Sequence, residues 1–295
     1  MSEVFGGIIG HERITSVLER MLTNKTLPHA FLFVGSEGVG RTHLTESLLR
    51  TMFETKRPLN TVLDLSWVRR LVDQKTEKPK TQISVDQIRE LTTRLAMSSM
   101  GGGWKAGIIE EADRLSRGAA NALLKTLEEP KGETLLVLRA PSVESVLETI
   151  ASRCQIVRFY PVSEKEITTS LVKQGYSKLD AAVAAKASYG CPGRAIRFLK
   201  NGEYRAQYET GRTNMSQAFS GSIPDRLRAA TEIIPKSEID KRLALDNALD
   251  RAEEILRDQL FDSDQAQTIH ALDRLYEVRA STRFNINPHL ALEYL

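Results

Sequence analysis

The chain has 295 residues, 41% hydrophobic and 27% charged, with a formal net charge of +3. That length suits two or three domains of roughly 100–200 residues each, and the mild basicity permits nucleic-acid contact without arguing for it. Two cysteines, Cys154 and Cys191, and five scattered histidines argue against a disulfide framework or a C-x-x-C metal site, no secretory leader is evident, and no apolar run approaches the ~18–20 residues that span a bilayer. A reduced, cytoplasmic protein with no membrane partner is expected. In chain order, the first clear element is HAFLFV, residues 29–34, a short apolar run that reads as a buried strand. GSEGVGRT follows at 35–42, and HLTESLLRTMF at 43–53 carries apolar residues at helical spacing.

Strand, glycine-rich loop, helix is the context in which G-x-x-x-x-G-K-[ST] holds nucleotide phosphates. Gly35, Gly38 and Gly40 allow successive backbone N–H groups to turn around phosphate oxygens, and the helix adds its positive end. Thr42 stands where a hydroxyl holds Mg²⁺. Arg41 stands where the lysine belongs. Arginine keeps the charge on a larger, planar fork, so the loop is expected to bind nucleotide while hydrolysing it poorly or not at all. An ordinary glycine-rich turn is the alternative.

Residues 55–82 are polar, with Pro58 and Pro79, and read as a loop or a poorly ordered insertion. Residues 83–97 read as an amphipathic helix starting near Val85 or Asp86, and MGGGW at 100–104 as a flexible turn. With further strands at 106–109, 134–138 and 155–159, the alternation predicts an α/β module with a parallel sheet. The 106–109 strand ends in Glu110 and Glu111. An acidic pair at the carboxyl end of a parallel strand sits where Mg²⁺ and the attacking water of a nucleotide site lie; a solvated acidic turn is the alternative. Ser116 can cap the next helix, which Pro130 stops. After Pro161 strand signals nearly vanish. Short helices are expected at 163–174 and 178–188, a break at 190–193, a third helix over 194–200, and an all-helical region from about 202, with amphipathic stretches at 243–260 and 269–278.

KAGIIEEADRLSRGAANALLKTLEEP at 105–130, followed by ASRCQ at 151–155, resembles the bacterial DNA polymerase III clamp-loader subunits of the AAA+ class. IIGHERI, LPHAFLFVG, GCPGRA at 190–195 and NINPHLALEYL at 285–295 match in order, so the resemblance covers nearly the whole chain; it looks most like the delta-prime branch. It implies a RecA-like AAA+ module over 1–161, a helical lid over 162–203, and a helical collar over 204–295 that assembles a pentameric ring. It implies the tau/gamma and delta subunits, the sliding clamp and primed DNA as partners. In Ser152-Arg153-Cys154, it implies that Arg153 is a finger reaching a neighbour's ATP. The chemistry is apt, because arginine stays charged and can pair bidentately with phosphate; a salt bridge within the chain is the alternative. Arg194 matches the family's second-sensor arginine, against the alternative of a helix-start arginine after a Pro-Gly turn.

Three departures bear on the site. No cysteine lies between His43 and Trp104, where the family usually carries a four-cysteine module, so no zinc is expected. Glu110 replaces the first acid of a D-E pair. Ala140 and Pro141 stand where the resemblance implies a polar first sensor. Together with Arg41, these changes imply loss of hydrolysis, with ATP or ADP and Mg²⁺ bound weakly or not at all. The favoured reading is a scaffold and finger subunit; an ATP-hydrolysing tau/gamma-type motor is the alternative, and a free P-loop enzyme is a third.

Overall fold

The computed structural model describes residues 5–220 except 76 and 102, and then residues 245, 248–253, 255, 256, 265–281, 287, 290, 291 and 294. The chain divides into two compact units, Met1–Leu199 and Lys200–Leu295. In the first, α1 (Glu12–Thr23) precedes β1 (Ala30–Val34), α2 (Arg41–Met52), β2 (Leu65–Val68), α3 (Val85–Ala96), β3 (Lys105–Ile109) and α4 (Arg117–Glu128). β4 (Thr134–Ala140), α5 (Glu148–Ala151) and β5 (Gln155–Arg158) complete the sheet region, and α6 (Glu164–Lys173), α7 (Lys178–Ala187) and α8 (Pro192–Lys200) follow.

The five strands are all parallel, in the order β2-β3-β4-β1-β5. Every residue of β1, β3 and β4 is buried, as expected of strands covered on both faces. Leu32, Val34, Leu136 and Leu138 share one apolar cluster with Ile88 and Leu91 of α3 and Leu123 and Leu127 of α4. The alternate residues, Phe31, Phe33 and Val137, cluster with Leu18 of α1 and Leu44 and Leu48 of α2. This is the period-two alternation of a strand distributing its side chains to two helical layers. Truncating one of these leucines to alanine costs about 2–5 kcal/mol, so the sheet is a rigid base for the loops at its edge.

Helix boundaries follow local chemistry. The Ser84 hydroxyl accepts from the Gln87 N–H, and the Gln87 side chain accepts from the Ser84 N–H, a reciprocal cap that starts α3. Ser116 caps α4 through the Ala119 N–H at 3.2 Å. α8 starts at Pro192, two residues before the expected start; proline suits a first turn, where its missing N–H leaves no bond unmade.

The polar 55–82 stretch departs from expectation. It contains β2, which pairs with β3 through Leu65↔Ala106 to Val68↔Ile109. Leu65 and Val68 are buried while Ser66 and Trp67 are half-buried. A four-residue edge strand between polar flanks offers too few periods to be recognised. Asp64 also ties this stretch to the 99–101 turn, accepting from the Ser99 hydroxyl at 2.9 Å and from the N–H groups of Met100 and Gly101 at 2.9 and 3.0 Å. These three bonds hold its carboxyl below the usual range, against burial, which raises it.

The second unit is helical at its described residues apart from Asn201 and Asn287, with α9 (Gly202–Ser220) and α10 (Gln265–Ser281). It has its own core, in which Met215, Leu249, Ile255, Leu275 and Val278 cluster. The expected stretch 269–278 lies within α10, whereas parts of 243–260 and most of 285–295 lie outside the described residues. Among the described residues, no helix is long and apolar enough to cross a membrane, and no group of three or more His, Cys, Asp or Glu is placed to hold a metal.

Candidate functional site

Parallel register brings the carboxyl ends of the strands to one edge: Val34 lies beside Ala140, Ile109 beside Leu138 and Val68 beside Ile109. The segments leaving those ends therefore meet. The 35–40 loop leaves β1 and enters α2 at Arg41. Gly38 and Gly40 have φ of 85° and 124°, values that glycine adopts without strain. The start of α8 sits on this loop. The Gly193 N–H donates to the Gly38 carbonyl at 2.8 Å, and a Cβ on Gly193 would stand 2.9 Å from that oxygen. A Cβ on Gly38 would stand 3.0 Å from Cγ of Arg194, so Arg194 lies directly against the loop. His11 Nε2 lies 2.9 Å from the Val39 carbonyl; a carbonyl only accepts, so Nε2 carries the hydrogen. Burial lowers the His11 pKa, which favours that neutral form.

Beside the loop lies a cavity of about 530 Å³, lined by Glu37, Gly38, Arg41 and Thr42 and by the apolar Ile8, Pro192 and Ile196. Its size is that of a small-molecule site, and a lining that combines polar loop groups with apolar side chains suits a phosphorylated ligand with a flat ring.

The loop's charged neighbours are arranged differently from the expectation. Arg41 Nη1 donates to the Ala140 carbonyl at 2.6 Å. Burial, and then the nearby Arg139 charge, lower its pKa to about 10, so it remains a cation at neutral pH. Arg139 itself, on β4, is only 6% exposed. Its Nη1 donates to the Thr42 hydroxyl at 2.5 Å, and its Nη2 lies 3.1 Å from Glu110 Oε1. Burial lowers the Arg139 pKa, and Glu110 is the largest influence opposing it. Glu111 is gripped by Arg70: Nε donates to Oε2 at 2.9 Å and Nη2 to Oε1 at 2.7 Å. That bidentate bond is the chief reason the Arg70 pKa is raised.

Mg²⁺ does not fit these residues as arranged. The hydroxyl and the carboxylate it would need, Thr42 and Glu110, already share the Arg139 guanidinium. A dication placed among them would meet a buried like charge.

Arg153 lies elsewhere, between α5 and β5, on an exposed edge. Its Nη2 and Nε lie 2.6 and 2.9 Å from Glu128 Oε1, and its Nη1 donates to the Thr149 carbonyl at 2.9 Å. Cys154, next to it, packs on the α3/α4 side of the sheet, and burial pushes its thiol up to about 12, so it is not a nucleophile at neutral pH.

The structure thus places Gly38, Gly40, Arg41 and Thr42 on the cavity lining, sets Arg194 against Gly38 and joins Glu110 to Thr42 through Arg139, with Gly35 at the end of β1; it turns Glu111 toward Arg70 and sets Arg153 on another edge. Arg70 and Arg139 were not anticipated. Arg139 had a signal, a lone cation in the strand TLLVLRA; Arg70 lay in the stretch read as a loop.

A parallel sheet in this order, a glycine loop between β1 and α2 and an acidic pair after β3 define an AAA+ module. Within that class, the family model for DNA polymerase III, delta subunit, matches residues 10–163. The chain belongs to this family. It is 36% identical over 149 residues to DNA polymerase III subunit delta′ of Escherichia coli K12, covering 50% of this chain and 43% of that one. Bacillus subtilis subunit delta′ is 28% identical over 198 residues, covering 65% and 60%, and subunit tau of the same species is 29% identical over 175 residues, covering 57% and 31%. The chain therefore spans less than two thirds of each of these relatives. Among solved structures, a point variant of Thermotoga maritima RuvB superposes with a TM-score of 0.52 at 16% identity, covering 79% of this chain and 84% of that one, which is a likeness of fold.

Proposed function

We propose that the chain is a delta′-type subunit of the DNA polymerase III clamp loader, a scaffold with a degenerate nucleotide site that supplies Arg153 as a finger to a neighbouring ATPase subunit. The observation that carries this reading is the contrast in how the arginines are held. Those around Thr42, Glu110 and Glu111 are bound inward to the chain's own groups, while Arg153 stands at an exposed edge with one carboxylate partner, Glu128. The Arg153 and Glu128 side chains are 36% and 49% exposed, and such a pair is worth only about 0–1 kcal/mol. A neighbour's phosphates, offering more charge and bidentate geometry, would displace it.

In this reading residues 1–161 form the AAA+ module, 162–203 the lid bearing Arg194, and 204–295 the collar. The partners are the tau/gamma and delta subunits in a pentameric ring, with the sliding clamp and primed DNA as what the ring acts on. ATP or ADP is bound weakly in the chain's own cavity. A tau/gamma-type motor is disfavoured, because Arg70 engages both oxygens of Glu111, the acid that would orient the attacking water.

Reconstitution with tau/gamma and delta tests the proposal. Arg153→Ala should assemble normally yet slow DNA-stimulated ATP turnover. A finger is worth roughly 10³–10⁵ in rate at a single site, and the loader's total falls by less because only one of its sites loses its finger. Unchanged turnover and clamp loading in the mutant loader would overturn the finger role.

A further inference from the structure

The acidic pair and the loop hydroxyl are the groups that normally gather a divalent cation in a P-loop site. Here a cation is already among them, and it is covalently part of the chain. The Arg139 guanidinium bridges Thr42 Oγ1 and Glu110 Oε1 at 2.5 and 3.1 Å, the two ligands a metal would bridge. We propose that Arg139 takes the place of the metal, so that the cavity beside the glycine loop accepts a nucleoside diphosphate free of Mg²⁺. This deepens the reading above, and rests on it in taking the site as one that does not hydrolyse.

Several features support an anion here. Arg139 is more than nine-tenths buried, and its Nε–H is buried without an acceptor among the described residues. Its one ion-pair partner, Glu110, is partly exposed, with Glu46 and Glu111 acting on it from farther away, and an incoming phosphate supplies further negative charge. Arg139 stands behind the cavity wall at the Thr42 hydroxyl, Arg41 on the lining itself adds a second guanidinium, and the amino end of α2, a twelve-residue helix, adds its partial positive charge. Two fixed guanidiniums and a helix end favour a diphosphate without metal, with Glu110 offsetting part of the Arg139 charge. The fork of Arg41 is tied to the Ala140 carbonyl, so it is less free to follow a third phosphate than a lysine would be. The apolar lining of Ile8, Pro192 and Ile196 suits the base.

The test is a fluorescence titration of the full chain with mant-ADP, in excess Mg²⁺ and in EDTA. Wild type is expected to bind at least as tightly in EDTA as in Mg²⁺, because Mg²⁺ masks phosphate charge that Arg139 would otherwise meet. Arg139→Met should weaken binding in EDTA by about tenfold or more, the loss of one charge-assisted contact, and Mg²⁺ should restore part of it. Arg139→Lys, which keeps the charge without the fork, should fall between. Wild-type binding that tightens tenfold or more on adding Mg²⁺, or no mant-ADP binding in either buffer, would overturn the inference. Failure of the chain to enter a complex with tau/gamma and delta would instead overturn the subunit reading, without touching the titration.

Discussion

Two edges of the same module use arginine in opposite ways. At the carboxyl edge of the sheet, Arg41, Arg70 and Arg139 turn inward, to a backbone carbonyl and to the two acids. Beyond α5, Arg153 lies on the surface, with a single exposed carboxylate for company. A guanidinium in the first setting satisfies groups that would otherwise recruit a metal and a water. In the second it remains available to another molecule. Residue type alone does not distinguish them; burial and the partner's own freedom do. On the proposed reading, the scaffold has lost a function at one edge and kept the residues for another.

The largest test of this contrast is catalytic. If inward arginines silence the site, the isolated chain should turn over ATP far below the usual enzyme range of about 1 s⁻¹ or more. Arg41→Lys should not rescue it. A lysine would restore a compact charge at the phosphates, but Arg139 would still hold Thr42 and Glu110, and Arg70 would still hold Glu111. Phosphoryl transfer depends on parts acting together, so repairing one leaves the rate near background. Steady-state hydrolysis by both proteins is the check; robust turnover by wild type would show that the inward arginines do not silence the site.

A smaller effect concerns stability. Arg139→Met should lower stability by about 1–2 kcal/mol, less than the 3–5 kcal/mol for a fully buried pair, because the orphaned Glu110 keeps access to water, its side chain being 30% exposed. Arg139→Met with Glu110→Gln should recover most of that loss, since exchanging a whole buried pair for uncharged groups is often neutral. Urea melts of the three proteins decide. A double mutant less stable than Arg139→Met would mean that the pair is held for the fold and not for a ligand.

Much of this arrangement was legible in the sequence, and the failures have a common cause. β1, the glycine loop and α2 stood out because a buried strand and an amphipathic helix have different periods and the glycines mark the join. The caps at Ser84 and Ser116 are local, so the helix starts could be read. What could not be read were pairings between distant segments. Arg70 meets Glu111 only because β2 pairs beside β3, and β2 was itself too short to recognise. Arg139 is visible in the sequence as a cation in an apolar strand, but its partners Thr42 and Glu110 lie in other segments. Strand alternation puts residue 139 on the α2 side of the sheet, with Phe33 and Val137, which is how it reaches Thr42. For Arg153, the in-chain ion pair read as the alternative is present, with Glu128, at an exposed edge where such pairs are weak.

The smallest expected effect tests that last point. Glu128→Ala removes the partner of Arg153 at its exposed edge. Both side chains are more than a third exposed, so water already solvates them well, and the loss in stability should be about 0.2–1 kcal/mol, shrinking further as salt screens the pair. Arg153 would keep its bond to the Thr149 carbonyl and so stay near its present position. In a reconstituted loader the Glu128→Ala subunit should therefore sustain ATP turnover at or slightly above the wild-type rate, because a competitor for the guanidinium has been removed while the guanidinium remains. Measured beside Arg153→Ala, the two substitutions break the same ion pair and should diverge in rate. If they slow turnover equally, the pair itself matters to the module's shape, and the exposed edge is structural in the same sense as the inward arginines of the other.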